Sequence, residues 1–422
     1  MNQIGKFQLR KVLGKGASGT VYLALDTFSG SEVALKVLHP EVVQSPDFDR
    51  TTTMQFMTEA SLAGKLSHPH IVSILEASVS EDSGYIALEY VPGGDLFQYT
   101  TPGKLLSPED AIQIAFKCCG ALDYAFRQGI VHRDIKPANI MVVSGTNIKV
   151  ADFGAAYLRT AAGTQLADIG SPSYMSPEQV KHEPLDYCSD MFTLGVVLYQ
   201  LFTGQRPFGA ATLEELFAKI LGEVAAAPSS LRPELSKEID EILLRMMAKN
   251  PAERYPSWGD LALDIAKVGR LSVYQSAIPD SEKFLALKKV RLLSQLDDAE
   301  LWELVLAGKW SRVPSRAAIV REGEAGKSLF FLGSGQAKVT RQGRLLNVLD
   351  AGECVGELAY IKEGGIVRQA TVETMADVLL VEFEREMLDK VSLKCRYQLS
   401  LALMHSLVDR LSLADERLVR AG

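Results

Sequence analysis

Two short segments constrain the fold of this chain more than any other feature. Residues 132–139 read His-Arg-Asp-Ile-Lys-Pro-Ala-Asn, and residues 152–154 read Asp-Phe-Gly. Their spacing predicts carboxylate, ammonium and amide side chains on two neighbouring loops. Further motifs stand upstream and downstream of the two segments in a fixed order. A set this long and this ordered is not expected by chance, so the fold must bring these loops together.

The size and charge of the chain limit what it can do. Its 422 residues suffice for two or three domains, each with its own hydrophobic core. The net charge of -7 argues against nucleic acid or a membrane surface as its main partner. No signal peptide is recognised, and the longest apolar stretch, residues 192–202, is too short to span a bilayer. We therefore expect a soluble, cytoplasmic protein.

A change of composition near residues 267–283 predicts a linker between two domains. Before it, residues 7–266 pass from strand-rich sequence to long helical patterns. After it, residues 311–383 read as short, evenly spaced strands separated by glycine-containing turns, which predicts a small β-barrel. Helical segments flank this barrel, so the second domain is predicted to span residues 284–415. The predicted fold class is therefore α+β.

A glycine-rich turn lies between the first two predicted strands. Its glycines would let backbone N–H groups approach phosphate oxygens, although such a turn alone is a weak signal because glycine-rich hairpins are common. The residues of this turn expected to contact a nucleotide are Leu13, Gly14, Gly16, Ser18, Gly19 and Val21.

A lysine at the expected distance strengthens that interpretation. Lys36, in the predicted strand Val-Ala-Leu-Lys of residues 33–36, is suited to hold the α- and β-phosphates. Such a lysine must itself be held by a carboxylate, and Glu59 on a predicted helix is the best candidate. The alternative for Glu59 is a solvent-exposed glutamate on a helix face.

The strand of residues 86–91 leads into a segment that would hydrogen-bond the adenine base. Leu88 would lie at the back of the pocket. The carbonyl of Glu89 and the backbone of Val91 would contact the edge of the base.

Together these motifs make residues 7–266 resemble a eukaryotic-type Ser/Thr protein kinase, over the whole of that domain. The resemblance implies a bilobal fold, ATP and Mg²⁺ as cofactors and a protein substrate. It implies that Asp134 is the base that accepts the proton of the substrate hydroxyl, and that Lys136 stabilises the γ-phosphate. Asn139 and Asp152 would be the ligands of Mg²⁺.

The same resemblance implies how the catalytic loop is supported and regulated. Asp190 is expected to hold the backbone of this loop, and Glu178 is expected to pair with Arg254. An arginine directly before the base is typical of kinases that are switched by phosphorylation of the activation loop. Thr160 and Thr164 are the favoured phosphorylation sites, with a solvated hydroxyl of no role as the alternative for each.

The region from residue 292 to about 415 resembles a cyclic-nucleotide-binding domain, a jelly roll. The segments Val-Gly-Glu-Leu-Ala at residues 355–359 and Arg-Gln-Ala-Thr-Val at residues 368–372 carry this resemblance. It implies that Arg368 pairs with the exocyclic phosphate oxygens, that Glu357 accepts a hydrogen bond from the ribose 2′-hydroxyl, and that a helix N-terminus favours the phosphate. The residues expected to bind the nucleotide are Gly356, Glu357, Leu358, Arg368, Gln369 and Ala370.

The ligand of this second domain stays open between cAMP and cGMP, with Gln369 favouring cAMP. The connection of residues 362–367 is longer than usual in the family, and Val367 stands where proline is common. The sequence therefore supports two functions. One is a Ser/Thr kinase regulated by a cyclic nucleotide. The other is a kinase or scaffold whose second domain is a nucleotide-free assembly module, and an oligomer is compatible with both.

Overall fold

In the computed structural model, the residues described are 3–16, 19–39, 64, 66–79, 84–153, 172–271, 278–361 and 366–421. The chain divides into two compact units, Met1–Ser272 and Val273–Gly422. This division falls within the predicted linker, while the exact domain boundaries stay a prediction. Within the described residues, no helix is both long and apolar enough to cross a membrane.

The first unit begins with an antiparallel sheet in the strand order β1-β2-β3-β4-β6-β5. Its strands are β1 (Gln3–Ile4), β2 (Phe7–Lys15), β3 (Gly19–Asp26), β4 (Glu32–Leu38), β5 (Ile74–Val79) and β6 (Gly84–Glu89). Alternate side chains of these strands point to one face, where Phe7, Ala24, Val33, Leu35 and Ala87 form a buried cluster. Glycine is required at Gly19, because a Cβ there would collide with the carbonyl oxygen of Val37.

Helices predominate in the described residues that follow this sheet in the first unit, and β7 (Ile140–Ser144) and β8 (Asn147–Val150) form a two-stranded sheet among them. The described helices of this unit are α1 (Pro108–Arg127), α2 (Pro177–Val180), α3 (Tyr187–Thr203), α4 (Leu213–Gly222), α5 (Pro228–Leu231), α6 (Lys237–Met246) and α7 (Trp258–Leu271). Helix α3 is apolar on nearly every side and is buried along almost its whole length. It starts at the cap residue Asp186 and ends at Gly204, whose left-handed φ of 74° terminates the helix.

A buried ion pair joins α2 to Arg254, which lies shortly before α7. Nη2 of Arg254 lies 2.7 Å from Oε1 of Glu178, and Nη1 lies 3.0 Å from Oε2. Burial raises the pKa of the Glu178 carboxyl, but the hydrogen bond and charge of Arg254 lower it more, so the net shift is downward. The pair expected from the sequence therefore forms, and its charges are compensated inside the protein.

The first turn of α3 also fixes the loop of residues 132–134. The carboxylate of Asp190 accepts hydrogen bonds from the backbone N–H of His132 at 2.7 Å and from that of Arg133 at 2.8 Å. Arg133 adopts a left-handed φ of 66°, which is costly for a residue with a Cβ. The two bonds from Asp190 hold the backbone in this conformation, as the sequence predicted.

The second unit consists of two four-stranded antiparallel sheets and flanking helices. The sheets have the strand orders β10-β17-β13-β14 and β15-β12-β18-β9, and β11 pairs with β16. Buried residues of both sheets, among them Leu332, Ala337, Val372 and Leu380, form one core cluster. The described helices are α8 (Asp280–Lys288), α9 (Asp298–Ala307), α10 (Glu357–Ile361), α11 (Arg385–Leu388) and α12 (Leu393–Ala421).

The strands of this unit are β9 (Lys309–Val313), β10 (Ala318–Val320), β11 (Ala325–Gly326), β12 (Leu329–Leu332), β13 (Gln336–Arg341), β14 (Arg344–Asp350), β15 (Cys354–Val355), β16 (Ile366–Val367), β17 (Thr371–Thr374) and β18 (Val378–Phe383). The predicted α+β class, with a small barrel and flanking helices after the first domain, is confirmed.

The Asp190→Asn substitution tests how the loop is held. An amide cannot accept both N–H groups as a carboxylate does, so we expect the loop to lose about 2–3 kcal/mol of local stability. Hydrogen exchange in peptides covering residues 130–136 should then be roughly a hundredfold faster. Asp240→Asn is the matched control, because Asp240 is also buried and accepts from the N–H and hydroxyl of Ser229. Unchanged exchange at residues 130–136 in Asp190→Asn would contradict the assignment.

Candidate active site

The loop of residues 132–139 brings three predicted residues together around one carboxylate. Oδ2 of Asp134 lies 2.7 Å from Nζ of Lys136 and 3.2 Å from Nδ2 of Asn139. The same amide group of Asn139 donates to the backbone carbonyl of Asp134 at 2.8 Å. The short 3-10 turn Pro137–Asn139 places the asparagine for both contacts. An acceptor, a cation and an amide therefore converge at this loop.

The second loop joins the first through the residues on either side of Asp152: the backbone of Ala151 and the ring of Phe153. The N–H of Ala151 donates to the carbonyl of Asn139 at 2.8 Å, and the ring Nε2 of His132 lies 2.9 Å from the carbonyl of Ala151. The ring of His132 also contacts the ring of Phe153, with 4.6 Å between the centroids. These contacts make the two loops neighbours, as their motifs predicted.

The predicted lysine of the sheet reaches this second loop. Nζ of Lys36, on β4, lies 2.7 Å from Oδ1 of Asp152, and the lysine is buried. Burial raises the pKa of the Asp152 carboxyl, but the charge and hydrogen bond of Lys36 lower it more, so the net shift is downward. Asp152 also has a left-handed φ of 69°, which marks a constrained backbone at the site.

Several predicted residues fall outside the part of the chain that the structure describes. These are Glu59, the expected partner of Lys36, together with Ser18, Thr160 and Thr164. In the glycine-rich turn, the N–H of Gly16 donates to the carbonyl of Gly19 at 2.9 Å, which closes the turn. Leu13 is exposed at this turn, and Val21 is half-buried on β3.

A small cavity lies next to the Lys36–Asp152 pair, and residues of β5 and β6 form part of its wall. Apolar residues supply most of its wall, and Leu88 is one of them. The lining residues are Lys36, Ile71, Val72, Ile74, Ile86, Leu88, Asp152 and Phe153. Apolar side chains of the sheet therefore lie beside the charged Lys36–Asp152 pair.

The end of β6 is held by contacts that sequence reasoning missed. The carboxylate of Glu89 accepts from Nζ of Lys149 at 2.8 Å and from the N–H of Ser73 at 3.3 Å. The N–H of Glu89 donates to the carbonyl of Ser73 at 2.9 Å. Lys149 stands on β8, three residues before Asp152, so a basic residue at that position was the signal available in the sequence. Val91, the other residue predicted to contact the base, is buried.

The donor set fits magnesium and a nucleotide. Asn139 and Asp152 offer amide and carboxylate oxygens, the hard ligands that Mg²⁺ prefers. No group of three or more His, Cys, Asp or Glu side chains able to hold a metal occurs among the described residues. Phosphate oxygens of a nucleotide are ligands of the same hard type and would share the coordination of the ion.

The second unit contains a separate candidate site around Arg368. The guanidinium is buried, and its Nη2 donates to the carbonyl of Ser328 at 2.9 Å. A Cβ on Gly326 or on Gly356 would collide with this guanidinium, so both glycines make room for it. Gly356 has a left-handed φ of 86° immediately before α10.

The charge of Arg368 is only partly compensated within the unit. Burial lowers the pKa of its guanidinium, and the nearby carboxylates of Glu382 and Glu357 oppose that shift without cancelling it. Glu357 is buried. Of the other predicted residues, Leu358 and Gln369 are exposed and Ala370 is half-buried. Residues 362–365, part of the unusual connection, lie outside the described residues.

Comparisons with known proteins identify both domains. The family model of the protein kinase domain matches residues 7–261, and that of the cyclic nucleotide-binding domain matches residues 310–394. The probable serine/threonine-protein kinase SCO3848 of Streptomyces coelicolor is 36% identical over 269 residues, which are 62% of this chain and 39% of that protein.

Two similar relatives carry the name serine/threonine-protein kinase PknB. That of Mycolicibacterium smegmatis is 33% identical over 288 residues, which are 66% of this chain and 45% of the relative. That of Mycobacterium tuberculosis (strain H37Ra) is 34% identical over 271 residues, which are 62% of this chain and 43% of the relative. The chain thus spans less than half the length of these relatives. It belongs to the protein kinase family and carries a cyclic nucleotide-binding domain after its kinase domain.

Proposed function

We propose that this chain is a Ser/Thr protein kinase that transfers the γ-phosphate of ATP to hydroxyl groups of proteins. The observation that carries the proposal is the convergence of Asp134, Lys136 and Asn139 on one loop, joined through the backbone to the loop of Asp152. The relatives named serine/threonine-protein kinases support the same activity. Phosphoryl transfer requires positioning and charge stabilisation, and this arrangement offers both.

In this proposal each residue of the loops has one task. Asp134 accepts the proton of the substrate hydroxyl and orients its oxygen. Lys136, 2.7 Å from that carboxylate, lies where it can stabilise the phosphate being transferred. Asn139 and Asp152 hold Mg²⁺, which neutralises negative charge on the phosphates when it is bound. The pairing of Asp134 with Lys136 supports this division, because it puts the base beside a phosphate-binding cation.

The remaining nucleotide contacts are proposed from the sheet. Lys36 would bind the α- and β-phosphates, with Glu59 as its carboxylate partner. The backbone of Glu89 and Val91 would contact adenine. The turn residues that would cover the phosphates and base are Leu13, Gly14, Gly16, Ser18, Gly19 and Val21. Thr160 and Thr164 are proposed as sites of activating phosphorylation. The five cysteines are all free thiols, which is compatible with the cytoplasmic location that we propose.

Asp134→Asn separates catalysis from binding. The amide keeps the size of the side chain but cannot take a proton, so we expect kcat for peptide phosphorylation to fall by about 10²–10⁴-fold. The affinity for ATP in the presence of Mg²⁺, measured by calorimetry, should stay within a few-fold of the original. Asp264→Asn serves as control, since Asp264 forms an exposed pair with Lys267 on α7. If Asp134→Asn kept its full kcat, Asp134 could not be the base.

We propose further that the second domain binds cAMP or cGMP and that this binding changes the rate of the kinase. Arg368 carries the proposal, because a buried guanidinium bonded to a neutral carbonyl favours an anionic ligand. Gly356 and Glu357 begin α10 beside it, where the phosphate and the ribose hydroxyl would bind. Regulation requires that the nucleotide bind two states of the chain with different free energies.

Arg368→Met tests this ligand. Loss of a charge-assisted hydrogen bond costs about 1.5–3 kcal/mol, so we expect calorimetry to show cAMP or cGMP binding about 10–100-fold more weakly. Arg344→Met is the control, because Arg344 is an exposed arginine on β14 of the same unit. Addition of the cyclic nucleotide should change the kinase rate of the original chain and of the Arg344→Met control. It should leave the kinase rate of Arg368→Met unchanged. If the original chain binds neither nucleotide, the domain is an assembly module instead.

A further inference from the structure

Arg206 is an exposed arginine in the loop between α3 and α4, and its contacts are with uncharged groups. Its Nη1 donates to the hydroxyl of Ser173 at 3.0 Å. Its guanidinium also lies over the ring of Tyr174, with 5.5 Å between the guanidinium carbon and the ring centroid. Within the described ranges of the chain, no carboxylate pairs with Arg206. The positive charge of this arginine is therefore not neutralised by the part of the chain that the structure describes.

The groups beneath the guanidinium are buried and fixed. Ser173 and Tyr174 are both buried, and the hydroxyl of Tyr174 donates to Oε1 of Gln200, on α3, at 2.6 Å. An arginine that rests on an aromatic ring keeps the N–H groups at its edge available for an anion. Most exposed arginines are solvated and sample many rotamers. Arg206 instead has its charged group held in one place by a hydrogen bond and a ring.

The segment that carries Ser173 also contacts the catalytic loop. Ser176, three residues further on, accepts a hydrogen bond from the N–H of Gln179 and donates its own N–H to the side chain of Gln179. Nε2 of Gln179 donates to the carbonyl of Arg133 at 2.7 Å, directly before Asp134. Three residues of chain span at most about 10 Å, so the guanidinium on Ser173 lies only a few residue lengths from the catalytic loop.

We propose that Arg206 binds an acidic side chain of the protein substrate, a few residues from the hydroxyl that receives the phosphate. A substrate chain whose hydroxyl lies at Asp134 passes over the surface beside the catalytic loop, and each of its extended residues advances about 3.3 Å. A carboxylate of that chain would accept two parallel hydrogen bonds from the planar guanidinium. Arg206 would thus select the substrate, whereas Asp134 acts on its hydroxyl. This inference rests on the proposed kinase function.

Peptides that differ at a single position test this selection. The acceptor serine or threonine is placed in a neutral sequence. Asp is then introduced in turn at each of the four positions before and after the acceptor, with Asn at the same position as the reference. We expect the original chain to show a kcat/KM about 3–10-fold higher for Asp than for Asn at one or two neighbouring positions, because an exposed arginine–carboxylate pair gives a modest gain in binding.

Three substitutions of the arginine separate its charge from its packing. Arg206→Gln should abolish the preference, so that the ratio of the two kcat/KM values falls to about one. Arg206→Glu should reverse it, so that Lys is preferred over Asp at the same position. Arg206→Lys keeps the sign of the charge and should keep a reduced preference for Asp. Each ratio compares two peptides with one preparation of the protein, so it does not depend on the fraction of molecules that are folded.

Arg245→Gln is the matched control, because Arg245 on α6 is also exposed and also lies over a tyrosine, Tyr255, at 4.1 Å. This variant should keep the preference of the original chain. The proposal is overturned if the original chain shows no preference for Asp at any tested position, or if Arg206→Gln keeps the preference. It is also overturned if the variants of Arg206 lose activity toward every peptide, since the arginine would then be structural. If the original chain phosphorylates no peptide at all, the proposed kinase function itself fails.

Discussion

The hydrogen bonds that the carboxylate of Asp190 accepts from the N–H groups of His132 and Arg133 are the constraint on which the kinase unit depends. Asp190 belongs to the first turn of a helix that is buried along almost its whole length, so the position of its carboxylate is fixed by the packing of that helix. The two hydrogen bonds hold Arg133 in a left-handed conformation that would otherwise be costly. The next residue, Asp134, contacts Lys136 and Asn139 through its carboxylate.

The fixed catalytic loop is connected to the other residues of the site by hydrogen bonds and an ion pair. The backbone bond from Ala151 to Asn139 places Asp152 beside the catalytic loop, and Lys36 reaches Asp152 from the sheet. The two lysines of the kinase site are thus each paired with a carboxylate. In the second unit Arg368 is instead bonded to a neutral carbonyl, in a space left by two glycines. A lysine paired with a carboxylate can exchange that carboxylate for the phosphates of a nucleotide. An arginine bonded to a neutral carbonyl keeps its positive charge available for a single anion.

The family, the fold class and two supporting contacts could be predicted from the sequence, because the order and spacing of the motifs require their loops to lie side by side. The family and the α+β class are confirmed, and so are the pair Glu178–Arg254 and the support of the loop by Asp190. Other features could not be predicted, because a strand pattern gives the face of a side chain but not its partner. Lys149 bonding to Glu89 and the guanidinium of Arg368 bonding to the carbonyl of Ser328 depend on distances between distant segments. The roles assigned to individual site residues stay predictions.

Transfer of labelled γ-phosphate from ATP to a library of peptides by the purified chain would decide whether the protein is a Ser/Thr kinase. Parallel reactions would contain Mg²⁺ or a chelator in excess over it. The account predicts label on serine or threonine in the presence of Mg²⁺ and a loss of that label under chelation, because Asn139 and Asp152 act through the metal. Absence of label from every serine and threonine peptide with Mg²⁺ present, or equal labelling after chelation, would contradict it.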